Sequence, residues 1–139
     1  MKWTTSDDTC ILRLEKGEEV LSTLTDFVRE NDIRGGAILG LGAIRDLELG
    51  LYDPHEKTYI KRTFPEDMEL GNLTGNISWF EGHPVLHCHV TVAAHDLKAY
   101  TGHLFSAVVA VTVECVIRPF SKKLTRARDE AIGLNLLDL

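Results

Sequence analysis

The segments VLHCHV at residues 85–90 and TGHL at residues 101–104 carry three histidines in strand-like surroundings. Side chains alternate between the two faces of a β-strand, so His87 and His89 point the same way and Cys88 points the opposite way. Both imidazoles are then close enough to reach one ion. A third imidazole, from His103 on a neighbouring strand, would complete a three-histidine set, which in zinc proteins usually leaves a fourth position open for water or substrate.

Two interpretations of these histidines are open. Histidines within strands often only satisfy a hydrogen bond on a polar or half-buried face, and a single His-x-His is short enough to occur by chance. A third histidine that directly follows Gly102 favours a metal site over that interpretation. The remaining histidines, His55, His83 and His95, lie in turn-like segments and are predicted to be loop residues.

Length and composition predict one globular domain over residues 1–139. A chain of this length buries a core without disulfides or a structural metal. Hydrophobic residues make up 44% and charged residues 26%, which excludes disordered and fibrous classes. No apolar run approaches the ~18 to 20 residues of a membrane span, and the first eight residues lack the pattern of a secretory signal. We therefore expect a cytoplasmic protein with no membrane partner, in which Cys10, Cys88 and Cys115 are small core residues.

The formal net charge of −6 disfavours contact with a phosphate backbone unless cations cluster locally. One basic segment, RPFSKKLTRAR at residues 118–128, forms such a cluster. The candidates for a nucleic-acid contact are Lys122, Lys123, Arg126 and Arg128. The alternative, which we favour, is a solvated surface segment that balances the acidic remainder.

The hydrophobic pattern predicts one helix in a chain of strands. Residues 9–14 alternate like a strand, whereas apolar residues recur at helical spacing over residues 17–31, with Glu18 and Glu19 in the first helical turn. The glycine-rich segment 33–44 is predicted to allow a close backbone approach or a sheet bend. Beyond it the chain is almost wholly strand-like. The apolar tail at residues 129–139 is predicted to dock on the body or on another subunit.

Several segments together resemble the PPC (plant- and prokaryote-conserved) domain family, whose plant members carry this domain beside AT-hook motifs. The matching segments are GA at 42–43, EL at 69–70, LTGNIS at 73–78, Pro84, HCH at 87–89, GHL at 102–104 and TVE at 112–114. They span almost the whole chain. Two departures are Thr101, where the family often has a glycine, and DLK at 96–98 in place of a more usual Asp-Gly turn.

The resemblance implies an α+β fold, with a largely antiparallel β-sheet and one main helix packed on it, assembled as a homotrimer. It also implies that His87, His89 and His103 hold Zn²⁺, although imidazole ligands also suit other transition metals. Prokaryotic members of the family are commonly described as DNA-binding by analogy with the plant ones. The fold is also similar to that of α-acetolactate decarboxylase, a zinc enzyme.

Three functional hypotheses follow. The first is a DNA-associated or regulatory module, although the chain contains no Arg-Gly-Arg-Pro hook for the A·T minor groove. The second is a zinc-dependent lyase or hydrolase that acts on a small polar substrate, with Glu69 as the catalytic proton carrier, Glu114 as the second candidate, and Asn76 or Ser78 orienting the ligand. The third is a trimeric scaffold for another protein, with the metal absent or incidental.

Overall fold

Nine strands and one helix form most of the chain in the computed structural model, which describes residues 1–139. In chain order the elements are β1 (Lys2–Ser6), β2 (Thr9–Glu15), α1 (Val20–Glu30), β3 (Gly36–Asp53), β4 (Thr58–Phe64), β5 (Met68–Phe80), β6 (His83–Ala93), β7 (Ala99–Pro119), β8 (Thr125–Asp129) and β9 (Leu134–Asp138). A single helix among antiparallel strands is the α+β arrangement that the sequence predicts.

The helix α1 packs one apolar face against β6 and β7. Its buried residues are Val20, Leu24, Phe27 and Val28. These positions share one face because an α-helix repeats every 3.6 residues. The helix begins later than predicted, so neither Glu18 nor Glu19 lies in its first turn. Glu19 is instead the N-cap, with extended backbone and a carboxylate that accepts a hydrogen bond from the Ser22 amide at 2.6 Å.

Four strands close into a ring within the sheet. The main strand order is β1-β2-β7-β3-β5-β8-β9, with β4 paired to β3 and β6 paired to both β5 and β7. Consequently β7, β3, β5 and β6 each pair with two others of the set. All pairings are antiparallel except one parallel bridge between Trp79 of β5 and Thr125 of β8. The ring therefore brings β6 beside β7, where the histidines lie.

The glycine-rich segment is part of one long strand, β3, rather than a separate strand. A bulge between Gly40 and Gly42 shifts the pairing of β3 with β5. Gly42 has φ +150°, and a Cβ atom there would lie 2.1 Å from the carbonyl oxygen of Thr112 on β7. This is the close backbone approach that the glycines predict, and only glycine permits it.

The hydrophobic core is one cluster of 25 buried residues from the helix and the sheet. Cys88 and Cys115 belong to it, as predicted, whereas Cys10 is only half-buried. All three cysteines are free. The single helix, with 11 residues, is too short to cross a bilayer.

The apolar tail forms the turn and the second strand, β9, of a hairpin with β8. This hairpin docks on the body of the same chain, one of the two positions predicted for the tail. The backbone amide of Trp79 donates a hydrogen bond to the Leu124 carbonyl at 2.8 Å, just before β8. The Tyr52 hydroxyl donates to the Ile132 carbonyl, just before β9. The hairpin thereby covers one side of the histidine cluster.

Candidate metal centre

The three histidines come from the adjacent strands β6 and β7. His87 and His89 lie two residues apart on β6, and His89 is paired directly with His103 of β7. Cys88, between the first two, points to the other face and is 0% exposed. The alternation of side chains along β6 and the register of the β6–β7 pair therefore set the position of all three rings.

The rings converge on a common point. One possible ligand atom of each histidine lies within 4.8 Å of those of the other two. The ring centroids are 5.2 Å apart for His87 and His89, 5.1 Å for His87 and His103, and 5.6 Å for His89 and His103. A tetrahedral zinc ion with Zn–N bonds of ~2.0–2.1 Å requires about 3.3 Å between ligand nitrogens. Side-chain rotations that move the ligand atoms by less than about 2 Å would bring them to this spacing.

One ring nitrogen in the cluster is fully buried and has no protein partner. His103 Nδ1 is buried and is the only such side-chain atom of the protein without a hydrogen bond. A buried polar atom without a partner is unfavourable, so this position calls for a partner that the chain itself does not supply. Three imidazoles, one of them with a buried and unpartnered ring nitrogen, suit a borderline-soft divalent ion such as Zn²⁺. The residues present therefore fit the metal that the fold family implies.

The environment of the cluster favours neutral imidazoles. Burial, reinforced by His87, His89, Arg126 and Lys61, lowers the pKa of His103 to about 4. Burial, together with Arg126 and His89, also lowers the pKa of His87 below its ordinary value. A metal ligand must be deprotonated, so these two rings need not lose a proton near neutral pH when an ion binds.

Aromatic rings and an apolar pocket adjoin the cluster. Tyr59 and Phe105 pack on the His103 ring with centroid distances of 5.1 and 4.8 Å. Beside the histidines is an open cavity of about 210 Å³. Its lining consists of Tyr59, Phe80, Val85, Leu86, His87, His103, Arg126, Leu134, Asn135 and Leu136. The last three belong to β9, so the docked C-terminal hairpin forms one wall.

Arg126 is the one charged side chain that lines this pocket. Its Nε donates to Ser78 Oγ at 2.7 Å, its Nη1 to the Asn135 carbonyl at 2.7 Å, and its Nη2 to Asn76 Oδ1 at 2.9 Å. Asn76 is paired across the sheet with His87, which brings the guanidinium to the edge of the cluster. Asn76 and Ser78 hold this arginine, and their role in orienting a ligand stays a prediction.

A family comparison agrees with this architecture. The model of the Plants and Prokaryotes Conserved (PCC) domain matches residues 1–121. This chain belongs to the PCC domain family. The match includes all three histidines of this PCC protein but not Arg126.

Solved structures share the PCC fold over nearly the whole chain. A Bacteroides thetaiotaomicron protein, described as a "putative dna binding protein", is 36% identical with a TM-score of 0.95, covering 99% of this chain and 96% of its own. A metal-containing protein from Archaeoglobus fulgidus is 31% identical with a TM-score of 0.88, covering 99% and 97%. A Pyrococcus horikoshii plant- and prokaryote-conserved protein is 25% identical with a TM-score of 0.88, covering 99% and 94%. No match was found among curated proteins.

The PCC fold does not bring the predicted proton carriers to the histidines. Glu69 is exposed and pairs with Ala93, five residues along β5 from Thr74, the partner of His89. At about 3.3 Å per residue this is a separation of about 16 Å. Glu114 is also exposed and pairs with Arg13 of β2, outside the pocket. The catalytic role of Glu69 stays a prediction, and this position gives it no support.

The four predicted nucleic-acid residues are divided between two environments. Lys122 and Lys123 are exposed before β8, with Lys123 Nζ 5.2 Å from the centroid of the Trp79 ring. Arg128 is exposed and forms an ion pair with Glu130 at 3.4 Å. Arg126 is half-buried in the histidine pocket. Sequence reasoning grouped it with its basic neighbours because no local pattern distinguishes it from them.

Proposed function

We propose that residues 1–139 form a single metal-binding PCC domain, in which His87, His89 and His103 hold one Zn²⁺ ion. The observation that carries this proposal is the convergence of three ligand atoms within 4.8 Å of one another. The unpartnered His103 Nδ1 supports it. So does the metal-containing Archaeoglobus fulgidus relative. Three protein ligands would leave one coordination position of the ion free for a small molecule.

The lining of the pocket favours ligand binding over lyase or hydrolase chemistry. When bound, zinc supplies a Lewis acid and lowers the pKa of coordinated water. The apolar side chains of β6 and β9 limit the access of water, and Arg126 orients a ligand. No Asp or Glu lines the pocket, so proton transfer has no carboxylate to carry it. We therefore place the zinc enzyme second to a binding or regulatory module.

Metal analysis tests the proposal. Protein stripped with a chelator and titrated with ZnCl₂ should bind one ion per chain. His87→Ala and His89→Ala should each lose this ion. His83→Ala is the matched control, because His83 is exposed at the start of the same strand and lies outside the histidine cluster. Equal zinc binding by all three variants would contradict the site.

DNA association is the activity we infer for the module, on the basis of relatives described as putative DNA-binding proteins from Bacteroides thetaiotaomicron and Ralstonia eutropha. In this chain Lys122, Lys123 and Arg128 are the exposed cations that support it. The net charge of −6 predicts weak binding, and the phosphate contacts of these cations predict that binding falls as the salt concentration rises. Retention on duplex DNA at low salt should fall in a Lys122→Ala/Lys123→Ala variant but not in Lys16→Ala, an exposed lysine on the opposite end of the chain. Absence of retention at low salt would refute DNA association.

Self-assembly into a homotrimer is the third part of the proposal. The apolar side chains Ile11, Leu39, Leu41 and Val116 are 40–57% exposed. Val116 pairs with both Ile11 of β2 and Leu39 of β3, so these three side chains form one contiguous patch. Exposed apolar patches of this kind mark interfaces. Light scattering should give three times the chain mass of 15.5 kDa. Leu39→Glu should dissociate the assembly, and Leu139→Glu, at an 89% exposed position, should not.

A further inference from the structure

We propose that the pocket beside the three histidines binds a small carboxylate, which Arg126 and the histidine-bound metal hold together. This inference rests on the proposed metal site. It adds the chemical class of the ligand and the residue that selects it.

The charge of Arg126 has no counter-ion within the protein. None of the protein's ion pairs includes it. Its three hydrogen-bond acceptors, on Ser78, Asn76 and Asn135, are all neutral. A half-buried cation without an anionic partner is unfavourable, so the position favours an anion from outside the chain.

The guanidinium is both fixed and incompletely used. An arginine has five N–H donors, and three are occupied here. One N–H on Nη1 and one on Nη2 remain. These two N–H groups can donate to the two oxygens of a carboxylate. The planar guanidinium matches the geometry of a carboxylate better than a lysine ammonium does. The three existing bonds hold the group in place before the ligand arrives, which reduces the loss of side-chain entropy on binding.

The remaining walls define the rest of the ligand. Phe80, Val85, Leu86, Leu134 and Leu136 are apolar and line the same cavity of about 210 Å³. This volume is below the ~300 Å³ at which pockets for drug-sized ligands begin. A short aliphatic carboxylate fits these properties, with its oxygens toward Arg126 and the metal and its hydrocarbon part toward the apolar side chains.

Two cations beside one pocket predict that metal and anion bind cooperatively. Without an anion, Arg126 repels the metal ion. A bound carboxylate screens that repulsion, so each ligand should raise the affinity for the other by the same factor. This coupling distinguishes a ligand-binding arginine from one that only fastens the C-terminal hairpin.

The test is zinc affinity of the full chain, measured by competition with a chromophoric chelator, with and without butyrate. In the wild type, butyrate should strengthen zinc binding about tenfold, and the neutral isostere butyramide should have no effect. Arg126→Gln should abolish the butyrate effect and bind zinc at least as tightly as the wild type when no anion is present. Arg126→Lys should keep part of the effect because it keeps the charge but not the two-donor geometry.

The outcomes separate this inference from the proposed metal site. Zinc binding that butyrate and butyramide affect equally would overturn the carboxylate site and leave the metal site standing, and this comparison needs no variant. A butyrate effect that survives in folded Arg126→Gln would also overturn it, since Arg126 would then be structural only. Loss of zinc binding in every condition would contradict the metal site first.

Discussion

Gly75 is the position at which one added methyl group should disturb the metal centre most directly. It lies on β5 and pairs with Cys88, which separates two of the histidines on β6. A Cβ atom there would lie 2.5 Å from the His87 carbonyl oxygen and 2.7 Å from Cys88 Sγ. One obstacle is backbone and the other is a buried side chain, so neither can move aside alone. Gly75→Ala must therefore push β6 away from β5.

The size of the effect follows from two opposing contributions. Overpacking of a tight interior destabilises a protein by about 1–3 kcal/mol. Alanine is favoured over glycine in a strand by about 0.5–1 kcal/mol, because glycine loses more backbone freedom on folding. The steric contribution is larger, so Gly75→Ala should lower the free energy of unfolding by about 1–2 kcal/mol. Displacement of His87 should also weaken zinc binding about tenfold or more, as when residues that support metal ligands are lost.

Gly71→Ala is the matched control on the same strand. A Cβ atom at Gly71 would meet only the Thr91 carbonyl oxygen, at an ordinary 3.7 Å. This variant should keep full zinc affinity and gain about 0.5–1 kcal/mol of stability. Urea unfolding of metal-free protein at one fixed protein concentration measures the stability, and zinc titration measures the affinity. If the two variants unfold at the same urea concentration, the steric reasoning about Gly75 is wrong.

Three further predictions concern the fold. Phe27→Ala should lower the free energy of unfolding by about 3–5 kcal/mol, because Phe27 is 1% exposed and its loss leaves a cavity under the helix. An effect below about 1 kcal/mol in urea unfolding would contradict this packing. Glu19→Ala should lower it by about 0.5–2 kcal/mol through loss of the N-cap, whereas Glu30→Ala, at the other end of the helix, should change it little. Burial raises the pKa of Cys88 and Cys115 from the ordinary 9.0 to about 12, so these thiols stay protonated in the folded chain while they ionise in the unfolded one. Stability measured by urea unfolding should therefore decline as pH rises from about 9 toward about 12, and a flat profile there would show that the thiols are solvated.

Much of the histidine arrangement could be predicted from local sequence. The shared face of His87 and His89 follows from the period of a strand, and the turn at residues 94–98 makes β6 and β7 neighbours. The pairing of His89 with His103 adds the register, which the sequence does not determine, because a slip of one residue would have turned His103 to the other face. The bound metal itself stays a prediction, since convergence of ligand atoms does not identify an ion.

Arg126 and Glu69 illustrate what local patterns miss. Arg126 reaches the pocket because the C-terminal hairpin docks beside β5 through a single parallel bridge, a tertiary event with no period or motif in the sequence. Glu69 belongs to a family-matching segment, but membership of a segment gives no distance to the histidines. The sequence predicts that the basic segment forms one surface, but Arg126 lies half-buried in the pocket while Lys122, Lys123 and Arg128 are exposed.

The three histidines and Arg126 are held in place by different parts of the fold. The histidines lie on two strands joined by a short turn and paired within the closed ring, so their positions depend on one of the most interconnected parts of the fold. Arg126 depends on a terminal hairpin that has a single strand-pairing contact with the body, the bridge between Trp79 and Thr125, beside separate hydrogen bonds such as that from Tyr52 to Ile132. Segments with few such contacts open at lower free energy than the core. The two hydrogen bonds of Arg126 to Ser78 and Asn76 of β5 therefore both hold the hairpin in place and complete the pocket, so a carboxylate that binds Arg126 should also stabilise the docked hairpin.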